Sequence, residues 1–496
     1  MTRPTLIAAI AIAACAAALF YAAPFQATVS QPVTNLVPAG AQLCLEARDF
    51  HAELSTWNTS PEKQRWLASR RYEGFSRSNL FFKLERAWKE LSAAAGFVPG
   101  WDLADSLAGR ESALAIYDIG EVQFLYVTRL PAAAAMQNAL WKSRAGYESR
   151  HAGGFEFFVR TSGRRTVAFA AARDILIVAS NEDYVAGSLR LLSGEHLPTI
   201  LNDAWYQDPA AAAGRPGDFR LTMNLEQLVN SPQFRSYWIQ RNATEIGQYS
   251  AALADIFRDG GSFREERVLL RKTTATAGAP AAEHLARLAP DDAAFYRAWS
   301  QPRPDALAAL IRQKIFPAAP APVLDRESDI DLEARIDLAP LQTPADQTSE
   351  TLRTLLRSVP LTCALEVQTT EPLGDGVFIN TPAAFAIESA TAWPAPLIGS
   401  VHGNILLISS SPQLEQQLAA RLNRRPASSN STSLAAFRHT STRAAYQKMM
   451  FAIDRTNGFF AVDLFSLSEI FRDVHAIELR TQDEGSLIRE TLNYRE

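Results

Sequence analysis

The sequence predicts an α+β protein of two tandem related halves, each a curved antiparallel sheet with packed helices, behind one amino-terminal transmembrane helix. Three observations predict it. Residues 165–194, RTVAFAAARDILIVASNEDYVAGSLRLLSG, read as strand, tight turn, strand and helix, and residues 396–423, PLIGSVHGNILLISSSPQLEQQLAARLN, repeat that grammar. Shorter matches recur in the same order around both stretches, and a repeat sets the architecture of a chain. The third observation is the uncharged run from Thr5 to Ala23, long enough to cross a bilayer as a helix.

The repeated stretch is justified residue by residue. Ile175 to Ala179 is a continuous apolar run rich in β-branched residues, as expected of a strand buried on both faces. Arg173-Asp174 supplies turn chemistry, Ser180-Asn181 an N-cap, Glu182 and Asp183 charge in the first helical turn, and Gly194 a terminator. In the echo, His402-Gly403-Asn404 turns the chain, Ser411 caps, and Pro412 takes the first helical position. Pro38 to Cys44 matches Pro290 to Tyr296 as a turn entering a strand. Asn224 to Leu228 matches Asp463 to Leu467, and Arg264 to Arg271 matches Ile488 to Arg495. The boundaries that follow are residues 1–23 for an anchor or signal segment, 24–37 for a linker, 38–275 for the first half and 281–496 for the second.

The remaining elements follow in chain order. Ala41 to Ala47 is a strand, and Asp49 caps a short helix. Ser60 to Gly96 holds two helices, the second carrying Phe81, Leu84, Trp88 and Leu91 at three- and four-residue spacing. Asp102 to Leu107 is a helical turn. Ser112 to Asp118 and Glu121 to Arg129 form a hairpin, Pro131 opens an alanine-rich helix, and Phe155 to Val159 is a strand. Phe219 to Asn224 adds a strand, helices run on to about Phe257, and Phe263 to Lys272 closes the half. Asn423 to Ser433 is a polar loop in the second half.

At 496 residues the chain exceeds one ordinary core. Its net charge of −4 argues against a dedicated nucleic-acid binder. Arg3 precedes the apolar run and the next basic residue is Arg48, so the charge bias holds the amino terminus in the cytoplasm and the bulk of the chain outside the inner membrane. Three readings of residues 5–23 stand: an uncleaved inner-membrane anchor, a cleaved secretory signal, and a lipoprotein segment modified at Cys15 within Ile12-Ala13-Ala14-Cys15. Cys44 and Cys363 fall in core strands of opposite halves and read as buried small apolar residues rather than a disulfide framework.

This layout resembles a family of uncharacterised, membrane-anchored bacterial envelope proteins known only as a domain of unknown function. The residues that carry the resemblance are the amino-terminal anchor, Pro-Ala-Gly-Ala at 38–41, ESALAIYD at 111–118 and DILIVASNEDYV at 174–185. The resemblance implies the same envelope location and brings no catalytic residue.

Candidate chemistry is sparse. Ser60-Pro61-Glu62-Lys63 fits the S-x-x-K motif of penicillin-binding proteins and β-lactamases, but Ser-Pro-Glu is also a plain helix start, and the companion motifs are missing. The seven histidines are scattered singly, so zinc has no local support, and no nucleotide-binding glycine loop indicates a cofactor. The one suggestive surface lies between Lys63 and Lys89, where Arg65, Arg70, Arg71 and Arg77 interleave with aromatic residues. It reads either as a membrane or partner surface or as a core helix pair with a solvated charged face. The leading functional expectation is a non-catalytic envelope protein that binds a partner or acts as a scaffold. The alternative is a carrier of lipid or another apolar ligand, distinguished by an apolar channel where a scaffold has a filled core.

Overall fold

The computed structural model describes residues 31–68, 72, 76–77, 79–98, 101–232, 246–259, 262–291, 293–315, 350, 353–354, 356–358, 360–368, 375–380, 398–424, 430–438 and 475–495. Residues 5–23 and Asp463 to Leu467 lie outside them. Among the described residues no helix is long and apolar enough to cross a membrane.

The strands before residue 275 are β1 (Leu43–Ala47), β2 (Ser112–Asp118), β3 (Gln123–Arg129), β4 (Glu148–Ala152), β5 (Phe155–Ser162), β6 (Arg165–Ala172), β7 (Ile175–Ala179), β8 (Phe219–Asn224), β9 (Tyr249–Asp259) and β10 (Ser262–Arg271). Those after it are β11 (Phe295–Ser300), β12 (Cys363–Gln368), β13 (Asp375–Asn380), β14 (Ile398–His402), β15 (Ile405–Ser409), β16 (Ser433–Arg438), β17 (Ala476–Asp483) and β18 (Leu487–Arg495). All pair antiparallel in one sheet. The first group runs β4-β5-β6-β7-β3-β2-β1-β8-β9-β10. The second runs β14-β15-β13-β12-β11-β16-β17-β18. Leaving out β4 and β5, the two successions coincide strand for strand. They meet edge to edge where β10 pairs with β18, and Arg271 clamps that joint with two hydrogen bonds to Asp483 of 2.5 and 2.8 Å.

Helices cover both faces of the sheet. The ones that matter below are α1 (Phe50–Thr59), α2 (Pro61–Ala68), α3 (Asn79–Ala95), α4 (Trp101–Leu107), α5 (Glu182–Leu192), α6 (Ala204–Ala213), α7 (Ala282–Ala286), α8 (Pro304–Ile315) and α9 (Pro412–Ala419). β7 and β15 are buried at every position because each is covered twice. Ile175 and Ile177 pack toward Val185 and Leu189 of α5, whereas Leu176 and Val178 pack toward Ala94 and Ala95 of α3. In the second group Ile405 and Leu407 meet Leu285 of α7 and Leu414 of α9, and Leu406 and Ile408 meet Leu307 and Ile311 of α8. Fully burying side chains of this size contributes about 1.5–3 kcal/mol each.

The local signals act as the sequence predicts. Arg173 and Gly403 hold the left-handed conformation in the two hairpin turns, with φ of 57° and 62°. Asn181 caps α5 through the Asp183 amide (3.0 Å), and Ser411 caps α9 through the Gln413 amide (3.2 Å). Asp49 caps α1 through the Ala52 amide (3.0 Å).

Two expectations are corrected. Tyr249–Asp259 is strand β9, not helix up to Phe257. Its Ala-rich run suits a helix locally, but pairing with β8 on one side and β10 on the other prevails over propensity. The expected linker does not extend through residues 33–37. Val33–Leu36 is a 3-10 turn, and Val33, Leu36 and Val37 are buried in the core beside α5, because three apolar side chains in five residues gain more by docking than by extending into water. Cys44 and Cys363 are both free thiols, buried in β1 and β12, and burial pushes the Cys363 thiol up to about 12.

Candidate functional site

Register builds an apolar floor on one face of the first group of strands. Leu45 and Ala47 of β1 lie opposite Leu114 and Ser112 of β2 and opposite Leu221 and Phe219 of β8. Leu114 in turn opposes Tyr126 of β3, and Tyr126 opposes Val178 of β7. Alternation keeps these side chains on one side, while Cys44 and Glu46 go to the other.

Helices wall this floor without filling it. Trp88, Leu91 and Ala95 of α3, Leu103, Ala104 and Leu107 of α4, Phe50 of α1, Phe97 and Leu140 enclose a cavity of about 410 Å³. Sites for small apolar ligands span roughly 300–1,000 Å³. The cavity is partly open to solvent, and Leu45 and Trp88 in its lining remain 37% and 49% exposed. Its polar side chains, Ser112 and Tyr126, are committed to the protein. Ser112 shares a 2.6 Å hydrogen bond with Thr128, and the Tyr126 hydroxyl donates to the Leu107 carbonyl at 3.0 Å. Desolvation pushes the Tyr126 hydroxyl above its ordinary pKa.

One ionic latch holds α3 over the cavity. Arg165 of β6 is 5% exposed, and its Nε donates to Glu90 of α3 at 2.8 Å. Arg86 and Arg164 also donate to Glu90, at 2.9 and 3.2 Å. The Arg165 hydrogen bond, followed by that of Arg86, holds the Glu90 carboxyl down at about 2. At the far end the Tyr147 hydroxyl donates to the Ala95 carbonyl at 2.9 Å, and Gly96 closes the helix with φ of 79°. A Cβ there would collide with the Arg160 guanidinium.

The opposite face carries a buried polar row. Arg220 donates to both oxygens of Asp255, at 2.8 and 2.7 Å, and the Gly217 amide reaches the same carboxylate at 3.0 Å. Beside it the Tyr206 hydroxyl donates to Glu46 at 2.7 Å. Burial pushes the Glu46 carboxyl up to about 6 against that hydrogen bond and the nearby Arg220 charge. α6 covers the row, and the groups satisfy one another.

The sequence-predicted residues are placed as follows. The Ser60 hydroxyl donates to the Trp57 carbonyl (2.9 Å) and accepts from the Lys63 amide (3.1 Å), which is the geometry of a helix cap. The Lys63 ammonium goes to the Asn58 side chain at 2.6 Å. Arg65 lies in α2, 3.9 Å from Glu62, and Arg77 is exposed in the turn before α3. Arg70 and Arg71 lie outside the described residues. Of the aromatic-rich helix, Ala87 and Ala94 are buried, yet Phe82, Leu84 and Trp88 are 55%, 43% and 49% exposed. The apolar stripe is therefore wider than the core it reaches. Among the described residues no group of His, Cys, Asp and Glu is arranged to hold a metal ion. The cavity floor is not legible in the sequence, because Leu43, Leu45 and Ala47 alternate with Gln42, Cys44 and Glu46 and so read as the ordinary core face of β1.

No family model and no curated protein matches the chain. Solved structures do, among them crystal forms I, III and IV of TP0453. They are 12%, 12% and 11% identical, with TM-scores of 0.25, 0.26 and 0.25, and they align over 49%, 49% and 48% of this chain and 81%, 81% and 79% of theirs.

Proposed function

We propose that this chain is a non-catalytic, membrane-anchored extracytoplasmic binding protein that carries lipid or another apolar ligand in the cleft beneath α3. In this reading its two halves derive from one α+β unit, the first binds, and the second supports it in the cell envelope. The observation that carries the proposal is the partly open, apolar cavity of about 410 Å³ whose hydroxyl groups are already committed to the protein. The coincident strand succession supports the duplication, and the uncharged run at residues 5–23 supports the anchor.

Purification of the full chain in a mild detergent, followed by native mass spectrometry and organic extraction, tests it. An apolar molecule that copurifies with wild type and is lost from Leu114→Trp, which fills the floor, is the expected result. A bare wild-type protein that also fails to take up a fluorescent acyl probe would refute the carrier.

A further inference from the structure

We propose that the outer face of α3 is a docking surface for an anionic lipid bilayer. Residues 57–98 carry eight Lys and Arg against four Glu and no Asp, in a chain whose net charge is −4. Among the described residues, the same segment holds Trp57, Leu67, Phe82, Leu84, Trp88 and Val98, most of the large apolar side chains left exposed. On the outer side of α3 itself stand Arg86 and Lys89, with Arg164 of the adjoining β5–β6 hairpin beside Glu90, so exposed cations and the uncovered Phe82 ring share one surface.

Helical spacing orders them. Ala87, Leu91 and Ala94 face the sheet, whereas Phe82, Arg86 and Lys89 recur at four- and three-residue steps along the opposite stripe. Phe82 is 55% exposed, and the Arg86 and Lys89 side chains are each 71% exposed. Their partners, Glu90 for Arg86 and Glu85 for Lys89, are neighbours on the same helix. The Lys89–Glu85 pair, exposed on both sides, is weak and readily exchanged for a headgroup phosphate. An aromatic ring among cations is the arrangement that seats at an anionic lipid interface, the ring entering the headgroup boundary and the cations meeting phosphate. The bilayer is the occupant that answers both the charge and the apolar ring, whereas an acidic protein answers the charge alone.

This inference goes beyond ligand carriage and can fail separately from it. The full chain, carrying Cys15→Ser and Phe82→Cys labelled with an environment-sensitive dye, is reconstituted into phosphatidylcholine vesicles with or without 30% phosphatidylglycerol. Dye emission and its quenching by bromolipids are then read. The expected result is a blue shift and at least twofold stronger quenching in the anionic vesicles, at least halved by Lys89→Glu, which leaves the Arg86–Glu90 bond in place, and absent when the dye sits at Ser486→Cys in the β17–β18 turn. Equal quenching in neutral and anionic vesicles, or none in either, overturns the docking face. Leu114→Trp separates the two readings, since it empties the cavity of ligand and leaves the quenching at residue 82 unchanged.

Discussion

Arg297 and Glu366 face each other across β11 and β12 at 3.0 Å, at the place in the strand order where Leu45 and Leu114 face each other across β1 and β2. Both side chains of the ion pair are nearly inaccessible, 10% and 2% exposed, and the Arg297 guanidinium also rests 4.6 Å from the Trp299 ring centroid. One strand pair thus presents an apolar floor, and its counterpart a buried charge pair.

Removing one partner leaves a buried charge uncompensated. Glu366→Ala should therefore destabilise the protein by about 3–5 kcal/mol. Arg297→Leu with Glu366→Leu, which copies the pairing at Leu45 and Leu114, should recover most of that loss. Urea unfolding of the single and double variants measures both, and a double variant as unstable as the single would refute the account.

Glu46 makes stability depend on pH in an unusual direction. Its folded-state pKa of about 6 lies above the ordinary 4.5, so between those values the folded protein holds the proton more tightly than the unfolded chain. Stability from this group is full below pH 4.5 and falls by about 2 kcal/mol as pH rises through 6. Glu46→Gln, which still accepts from Tyr206, should gain on wild type by about that amount between pH 4.5 and 7. Parallel unfolding curves at both pH values would show that the group carries no such linkage.

Glu90 works in the opposite sense. Its carboxyl is held down at about 2 by Arg165, so the latch is fully made above pH 4.5 and is lost as pH falls through 2. Arg165→Ala should cost about 1.5–3 kcal/mol, the range for hydrogen bonds to charged groups. Amide exchange within residues 79–95 should rise more than in β7. Uniform acceleration across both would mean that Arg165 stabilises the sheet rather than fastening α3.

Topology offers a separate check. With Arg3 alone flanking the apolar run, the terminus is expected to stay inside and residues from Pro24 onward outside. Alkaline phosphatase fused after Glu496 should be active, and a stable but inactive fusion would reverse the orientation. Mature mass then separates the intact chain from one cleaved and acylated at Cys15.

The sequence by itself determined the elements whose causes are local. The β6–β7–α5 stretch and its echo β14–β15–α9 were legible because a five-residue apolar run, a left-handed turn residue and an Asn or Ser cap act over a few positions. Asp49 and Ser60 were legible as caps for the same reason. Only the tertiary structure decided the rest. Tyr249–Asp259 becomes a strand because β8 and β10 supply its hydrogen bonds, against the preference of its alanines. Val33 and Leu36 are buried because they join the cluster of Val185 and Leu189 on α5. The cleft was least legible of all. Leu45, Leu91 and Leu114 are apolar whether a neighbour fills the space between them or not. Whether it is filled depends on where α3 is fastened, which Glu90 and Arg165 fix across a separation of 75 residues.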